Sequence, residues 1–391
     1  MHKSSLPKLW SASYINVCIA NFLMACSFNL LMPTIPLYIT EQLGVAQTQT
    51  GIVLASYTLA LLVVRPFSGY LVDLYARKKM LLVSFVLFVL VFFGYFWATT
   101  VAVLVLVRIL HGATWGLTSV AANTLAIDLV PSERRAEGIS FAGTFMNLAM
   151  AVGPWIAIHI YHEQGFHTLV FCAIGMGVLG IIAVTFIKPP VRQPVIHRKI
   201  SPDRFFLFPA WPVFLNQLFP CFAWGTVVAY VAQYGKSIGI FNVGVFFLFF
   251  AIGIMASRTF AGRLVDRGHV HIVNIVAMLM VAGFLFAFAF MQDIYTFCSV
   301  ALCIGLGFGS LLPAMQMLYV NMAENSQRGT ASATYLLGFD VGVAIGMFSG
   351  GYISGLASFE ALYIVDSVLC FLGVALYLLV SRPWFERKRL R

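Results

Sequence analysis

The chain has 391 residues, of which 61% are hydrophobic and 10% are charged, and it carries a formal net charge of +10 and a mean hydropathy of +0.92. Apolar runs such as residues 80–98 reach the roughly 20 residues that cross a hydrocarbon layer about 30 Å thick. No stretch outside these runs is long enough to form a soluble domain, which excludes a soluble enzyme and a nucleic-acid-binding protein. The sequence predicts an all-α polytopic membrane protein.

Twelve membrane spans are predicted in chain order, separated by short loops. They lie at residues 13–39, 49–73, 79–98, 100–129, 136–162, 165–187, 208–234, 240–265, 271–291, 294–321, 329–356 and 360–381. Most of the 24 Lys and Arg residues lie in the termini or in loops after even-numbered spans, whereas Lys236 lies on the opposite side. Basic loops remain in the cytoplasm, so both termini are predicted to be cytoplasmic, and the membrane is interpreted as a bacterial inner membrane.

One nine-residue phrase occurs twice, as RPFSGYLVD at residues 65–73 and as RTFAGRLVD at residues 258–266. The two copies are 193 residues apart, and the same separation relates Gly112 to Gly305. Twice this separation is nearly the length of the chain. The chain is therefore predicted to contain two parallel six-span repeats. The N-terminal bundle is predicted at residues 1–188, a basic cytoplasmic linker at 189–207, and the C-terminal bundle at 208–391.

The repeated phrase resembles the loop signature of the major facilitator superfamily, with Gly69, Asp73 and Arg77 in the first copy and Asp266–Arg267 in the second. The resemblance covers the whole chain and extends to the twelve-span drug:proton antiporters of this superfamily. It implies two parallel six-helix pseudo-repeats around a central cavity, a small-molecule substrate and transport by alternating access.

The resemblance also implies a function for the charges around the repeated phrase. In the superfamily, the aspartate, the downstream arginine and an acid ending span 4, here Asp73, Arg77 and Asp128, form a cytoplasmic latch that holds the outward-facing state. The alternative interpretation is that these charges are merely solvated loop residues. Arg65 and Arg258 lie about two helical turns deeper and are predicted to extend their side chains back to the cytoplasm.

Span 4 contains LVLVRILHGATWG at residues 104–116, which resembles a superfamily signature whose buried arginine is associated with proton coupling. Arg108, His111 and Trp115 share one helical stripe, and a stripe carrying Arg and His is predicted to face the cavity because lipid would penalise it. His111 replaces the usual glutamine, and a free imidazole titrates near neutral pH. The alternative for His111 is a neutral residue that only forms hydrogen bonds.

Asp340 is predicted near the membrane midplane on span 11, where its counterpart in the first half is Asn147. A buried carboxylate that lacks full compensation can alternate between its protonated and charged forms, as a proton-coupled carrier requires. The alternative is a permanent ion pair with a buried arginine. Asp366 is predicted to lie nearer the outer side and to be hydrated.

Other residues are predicted to line the substrate cavity because they are polar or aromatic and lie within spans. With Trp115 they are Asn21, Asn29, Asn147, Gln217, Trp224, Tyr230 and Gln316. Span 5 reads AMAVGPWIAI at residues 149–158, in which Gly153 and Pro154 resemble a degenerate form of the antiporter signature. Pro154 is predicted to kink this helix. The resemblance favours export over import.

The stretch HIYHEQGFH at residues 159–167 has a spacing that can bind zinc, but short interfacial loops often contain histidines, so no metal site is predicted. The chain has no nucleotide-binding loop, nucleophile elbow or metalloprotease helix. No cofactor is therefore predicted, the proton gradient being the energy source, and the chain is not expected to be an enzyme.

These observations favour a proton-coupled exporter of small amphipathic molecules, working as a monomer in the bilayer with no nucleic-acid partner. One alternative is a proton-coupled importer of a small solute. A second is a non-transporting membrane receptor on the same scaffold.

Overall fold

The computed structural model describes residues 8–44, 47–189, 202–240 and 243–390, and within these ranges the chain is helical and contains no strand. The long helices agree with the predicted spans in order. They are α1 Ala12–Leu31, α2 Gln47–Leu74, α3 Arg77–Phe93, α4 Val101–Leu129, α5 and α6 within Arg135–Thr185, α7 Trp211–Ser237, α8 Gly244–Leu264, α9 Val270–Phe288, α10 Ile294–Met322, α11 Arg328–Leu356 and α12 Phe359–Leu376. A short helix, α13 Arg382–Lys388, continues from α12 through Tyr377–Ser381.

Two glycines separate helices that are nearly continuous. Gly165, with φ of 83°, interrupts the helix Arg135–Thr185, and the parts before and after it are α5 and α6. Gly268, with φ of 89°, lies between α8 and α9. Left-handed backbone of this kind favours glycine because it has no Cβ.

The number of spans is consistent with the twelve predicted from the sequence. In the part of the chain that the structure describes, ten helices are long and apolar enough to cross a membrane. One of these ten, Gly244–Phe288, contains both α8 and α9, and the residues of α5 before His159 form a further helical segment. The all-α polytopic membrane fold is thereby confirmed.

Several helices begin at polar side chains that accept otherwise unpaired backbone N–H groups. Ser11 caps α1, Thr100 caps α4 and Ser358 caps α12. Asp293 caps α10, where the hydroxyl of Thr296 and nearby N–H groups hold the pKa of its carboxyl below the ordinary value. These caps fix where the helices start at the ends of the apolar runs.

The chain divides into two compact units. The first comprises Met1–Ser132, Phe145–Phe205 and Ser326–Ala333; the second comprises Glu133–Thr144, Phe206–Asn325 and Thr334–Arg391. Each unit thus contains most of one sequence half together with the beginning of one helix from the other half. Residues 190–201 of the predicted linker lie outside the described residues, and the predicted domain boundaries stay predictions.

The sequence repeat appears as the same helix packing in both units. In the first unit, a Cβ on Gly112 of α4 would collide with the backbone carbonyl of Tyr57 on α2. In the second unit, a Cβ on Gly305 of α10 would collide with the carbonyl of Phe250 on α8. Small residues allow membrane helices to approach closely, so the two equivalent glycines serve the same purpose in the two halves.

Candidate functional site

The carboxylate of Asp73, at the end of α2, binds the first turn of α11. It accepts the backbone N–H of Gly329 at 2.7 Å and that of Thr330 at 2.8 Å. The hydroxyl of Thr330 donates to the same carboxylate at 2.9 Å. Asp73 is only 2% exposed, and the unpaired N–H groups and positive dipole end of α11 stabilise its negative charge.

Two arginines and a second acid complete this group of contacts. Arg77 at the start of α3 lies 3.4 Å from Asp73 and forms an ion pair with Asp128 at the end of α4. Asp128 also pairs with Arg328, the first residue of α11, at 2.6 Å. The structure therefore brings Asp73, Arg77 and Asp128 together, as the resemblance implied. Their function as a latch stays a proposal.

Gly69 makes room for this contact between α2 and α11. A Cβ on Gly69 would lie 2.7 Å from the Cβ of Ala333 and 2.9 Å from the Cα of Thr330. Both distances are far inside van der Waals contact, so only glycine permits this approach. One turn beyond Gly69, Asp73 reaches the start of α11.

The second copy of the phrase makes the equivalent contact in the second unit. Asp266 follows the end of α8 and accepts the backbone N–H of Ala136 at 2.8 Å and that of Glu137 at 2.9 Å, in the first turn of α5. A Cβ on Gly262 would lie 2.6 Å from the Cα of Glu137. Arg267, predicted to act with Asp266, is exposed, and no ion pair within the described ranges includes it.

Glu137 is a central residue of this second group that sequence reasoning missed. Its carboxylate pairs with Arg134 at 2.7 Å and with Arg263 at 2.9 Å. The hydrogen bond that Arg134 donates to Glu137 raises the pKa of Arg134 above its usual range. The available signal was the repeat itself, because Glu137 occupies the position that Thr330 occupies in the second half.

Arg65 and Arg258 are buried, so the prediction that they extend to the cytoplasm was wrong. Arg65 donates to the hydroxyl of Ser119 on α4 at 2.6 Å. Arg258 donates to the backbone carbonyl of Ser140 on α5 at 2.9 Å, and its guanidinium fills the space beside Gly143. Neighbouring helices supply acceptors at this depth, so the arginines remain buried instead of reaching water.

Arg108 is completely buried in the first unit, among residues of α1, α2 and α4. Its guanidinium carbon lies 4.4 Å from the ring centroid of Tyr57, and one of its nitrogens lies 3.5 Å from the sulfur of Met32. Among the residues that the structure describes, no carboxylate pairs with Arg108, and its Nε and Nη2 atoms have no hydrogen-bond partner. Arg108 is thus a buried cation that contacts the face of an aromatic ring.

His111 and Trp115 lie on the same helical stripe as Arg108, and aromatic side chains pack around both of them. Nδ1 of His111 is 2.8 Å from the hydroxyl of Tyr95, and its ring packs against Phe88 and Phe92. Trp115 stacks on Phe28 at 4.4 Å. His111 is fully buried, and its proposed part in proton coupling stays a prediction.

Asp340 is half-buried on α11 in the second unit, between two glycines that pack on α7. A Cβ on Gly338 would lie 3.0 Å from Oε1 of Gln217, and a Cβ on Gly342 would lie 2.5 Å from the Cβ of Cys221. Arg108 lies in the first unit, so the proposed coupling of Asp340 to Arg108 stays a prediction. The sequence placed Asp340 on α11 correctly but gave no information on the helix that packs against it.

The predicted cavity residues differ in how many contacts their side chains make with the rest of the protein. Gln217 is completely buried; it donates to the carbonyl of Tyr335 at 3.0 Å and accepts the hydroxyl of Tyr319 at 2.6 Å. Trp224 packs in the core of the second unit, against Phe250 and Phe308. The observed contacts of both side chains are with other residues of the chain, and substrate contact stays a prediction.

Other predicted cavity residues retain polar atoms that have no partner among the described residues. These atoms are Oδ1 of Asn21, Nδ2 of Asn147 and Nε2 of Gln316. Asn29 binds the carbonyl of Ala25 in its own helix, and Tyr230 donates to the carbonyl of Met347. The unpaired atoms make the first three residues the stronger candidates for binding a polar substrate group.

Gly153 of α5 packs directly on α1 in the first unit. A Cβ on Gly153 would lie 2.7 Å from the Cβ of Asn29. The backbone is helical through residues 153–154, and the kink proposed for Pro154 stays a prediction. His159, His162, Glu163 and His167, which flank the break at Gly165, are exposed.

Comparison with known proteins identifies the family. The model of the Major Facilitator Superfamily matches residues 17–269 and 213–391. The chain belongs to the major facilitator superfamily. It is accordingly an integral membrane protein and a secondary transporter of small molecules, not an enzyme.

Two relatives within the superfamily match most of the chain. The staphylopine export protein of Staphylococcus aureus is 23% identical over 349 residues, which cover 84% of this chain and 86% of that protein. The multi-drug resistance efflux pump PmrA of Streptococcus pneumoniae is 25% identical over 388 residues, covering 92% of this chain and 94% of that protein. Among solved structures, the fold is similar to the human organic anion transporter MFSD10, with a TM-score of 0.81 and 14% identity over 93% of this chain and 98% of that chain.

Proposed function

We propose that this transporter exports small amphipathic molecules in exchange for protons, by alternating access. The observation that carries this proposal is the similarity to an export protein and an efflux pump along 84% and 92% of the chain. Fold alone does not determine transport direction, so the full-length similarity to these two relatives is the stronger argument.

Alternating access requires contacts that form and break during each cycle. The hydrogen bonds that Asp73 accepts from the start of α11 and that Asp266 accepts from the start of α5 are suited to this. They join side chains to helix ends, so water can replace them without unfolding either helix. We therefore propose that both contacts act as latches, as the superfamily resemblance implies for Asp73.

Proton exchange requires a group that changes protonation during the cycle. We propose Asp340 as the coupling carboxylate, with Arg108 favouring its charged form and His111 as a further candidate proton carrier. We also propose that the protein works as a monomer in a bacterial inner membrane. Both termini would lie in the cytoplasm, since the basic residues lie in the termini and in loops on one side.

Purified protein in liposomes with an imposed pH gradient tests this function. Ethidium, an aromatic cation, and 1-anilinonaphthalene-8-sulfonate, an amphipathic anion, are suitable fluorescent probes. An antiporter accumulates its probe when the lumen is more acidic than the outside, because protons leave as the probe enters. Asp293→Asn, a change at an exposed cap, is the matched control for handling and reconstitution.

Each alternative predicts a different result in the same experiment. An importer coupled to protons accumulates its substrate only when the outside is more acidic. A non-transporting receptor shows no flux with either gradient, although it can still bind a probe. Accumulation with the reversed gradient, or no flux across a broad set of compounds, would contradict the proposed function.

A further inference from the structure

Asp366 of α12 is a buried carboxyl group to which neither the superfamily resemblance nor the comparisons assign a function. Its side chain is completely buried in the second unit, not hydrated near the outer side as the sequence predicted. The packing of α12 against α7 and α9 removes it from solvent. This burial could not be predicted from the sequence. The separation of six residues from Glu360 indicates how far along the helix Asp366 lies, but not which face of the helix is covered by other helices.

A single side chain on α7 binds this carboxyl group. Oδ2 of Asp366 lies 2.5 Å from the hydroxyl oxygen of Thr226. Oδ1 has no hydrogen-bond partner among the described residues, and neither does the buried hydroxyl of Tyr363 one turn away. None of the ion pairs in the described part of the chain includes Asp366.

The hydrogen bonds of Thr226 are those expected beside a protonated carboxyl group. The hydroxyl oxygen of Thr226 is also 2.8 Å from the backbone carbonyl of Ala223. A hydroxyl has one hydrogen, whereas an ionised carboxylate and a carbonyl can only accept. If Asp366 is protonated on Oδ2, it donates to Thr226 and the threonine hydrogen remains for Ala223, so that both contacts are full hydrogen bonds; an ionised Asp366 would have to share that one hydrogen with the carbonyl.

The remaining neighbours favour the same protonation state. The titratable groups around Asp366 are Tyr363 and Cys370 on α12 and Cys221 and Tyr234 on α7, and all four are neutral in their ordinary forms. The one titratable group of α9, His271, lies eleven residues before Ala282, which faces Ser367, and it binds Tyr377 and Glu386 instead. Burial without a cationic partner among the described residues therefore favours the neutral acid.

We propose that Asp366 is a second proton-binding site of this transporter, which holds a proton in the present state and releases it to water during the transport cycle. In the release step the O–H bond of the carboxylic acid breaks, the proton passes to water, and the carboxylate keeps the electron pair. The reverse step restores the acid and its bond to Thr226. This inference rests on the proposed exchange of substrate for protons.

Helix α7 provides a way for water to reach the site. Pro220 lies inside α7, six residues before Thr226, and an internal proline removes a helical hydrogen bond and allows the helix to bend. Bending of α7 at Pro220 would separate Thr226 from Asp366 and admit water, after which the carboxyl can ionise. Asp340 packs in the same region of α7, because its neighbour Gly342 contacts Cys221, next to Pro220.

Infrared spectroscopy of the purified protein tests the resting protonation state without any gradient or substrate. The wild type should show a carbonyl band of a protonated carboxylic acid at neutral pH, and Asp366→Asn should lose it. Ser367→Ala is the matched control, since Ser367 is the next residue, is equally buried and donates to Ala282 at 2.8 Å, but carries no titratable proton. A spectrum unchanged by Asp366→Asn would overturn the proposal.

Thr226 variants give a second spectroscopic test of the site. Thr226→Val removes the acceptor of the Asp366 proton and should shift the band, whereas Thr226→Ser keeps the hydroxyl and should leave it in place. A band that does not move in Thr226→Val would mean that the observed proton belongs to a different carboxyl group.

Proton counting in liposomes then tests release. A pH-sensitive dye in the lumen reports the protons moved, and a fluorescent probe added outside reports the molecules transported. The ratio of the two gives the protons moved per molecule. Asp366→Asn, which has the shape of the neutral acid, should fold and exchange the probe downhill but lose protons per molecule, while Ser367→Ala keeps the wild-type ratio. A wild-type ratio in Asp366→Asn would show that Asp366 is only structural. If the wild type shows no gradient-driven transport, the proposed function fails, and the infrared comparison still decides the protonation of Asp366.

Discussion

The carboxylate of Asp73 accepts the backbone N–H of Gly329 at 2.7 Å, across 256 residues of sequence. Its repeat equivalent, Asp266, accepts the backbone N–H of Ala136 at 2.8 Å. Ala136 is the repeat equivalent of Gly329, so the same interaction occurs twice. In one copy the first half of the sequence supplies the acceptor, and in the other copy it supplies the donor. Each repeated aspartate therefore caps a helix that begins in the other half of the sequence.

We expect Asp73→Asn to slow transport about tenfold, the effect of removing about 1.4 kcal/mol from one conformational state. The amide keeps one acceptor oxygen but turns an NH₂ group toward a backbone N–H, and it no longer neutralises Arg77. Membrane insertion and expression should stay close to wild type because the apolar spans are unchanged. Initial rates of gradient-driven probe uptake in liposomes provide the measurement.

Asp266→Asn should have a smaller effect than Asp73→Asn. Both aspartates accept two backbone N–H groups, but Asp73 also accepts the hydroxyl of Thr330 and lies beside Arg77. Equal loss of transport in the two variants, or normal transport by well-expressed Asp73→Asn, would contradict the latch assignment.

Gly69→Ala should impair transport and lower thermal stability. The new methyl group would lie 2.7 Å from the Cβ of Ala333, so α2 and α11 must move apart. Overpacking of this kind costs about 1–3 kcal/mol. Melting temperature and uptake rate are the two measurements.

Gly175→Ala is the control, since no neighbouring atom lies within 4 Å of the Cβ that it would introduce. An alanine in place of glycine in an open helical position should be neutral or slightly stabilising. If both glycine variants behave alike, close approach at Gly69 is not the cause.

Glu137→Gln should lower stability by about 0–1 kcal/mol, because salt and water screen the pairs that it breaks. Arg263 has a side chain that is 60% exposed, so its pair with Glu137 should contribute little. The melting temperature of the wild type should fall with added salt more than that of the variant. An Arg263→Ala background, in which Glu137→Gln should cost less, isolates the contribution of Arg134.

Asp340→Asn should abolish accumulation driven by a pH gradient while leaving downhill exchange measurable, because an amide cannot carry the transported proton. His111→Gln, which restores the glutamine of the superfamily signature, should retain more activity. The pH dependence of uptake in both variants provides the measurement. Uphill transport by Asp340→Asn with the wild-type pH profile would make Asp340 structural and His111 the leading candidate.

Features that depend on local pattern were predictable from the sequence. Apolar length gave the spans, and the repeated Gly-x-Leu-Val-Asp phrase placed Asp73 and Asp266 at equivalent helix ends. The resemblance to the superfamily implied that Asp128 acts with Asp73 and Arg77, and the structure brings these three residues together.

Features that depend on which helix faces are covered were not predictable. Arg258 was expected to reach water, yet α5 offers it the carbonyl of Ser140 and the space beside Gly143. Asp366 was expected to be hydrated, yet the packing of α12 against α7 and α9 buries it. Glu137 was missed because its partner Arg263 is 126 positions away, and a helical period carries no information about such pairs.

The exchanged caps at Asp73 and Asp266 bear on how such a chain arose. A six-helix protein with one copy of the phrase would contain one such aspartate and one such helix start. The aspartate would lack its N–H donors, and the helix start would lack its acceptor. Two identical copies related by a twofold axis would satisfy both needs at once, since each aspartate would cap the helix of its neighbour in a self-complementary interface. Fusion of the two genes would preserve these bonds unchanged while freeing the halves to diverge, with Glu137 on one side and Thr330 on the other.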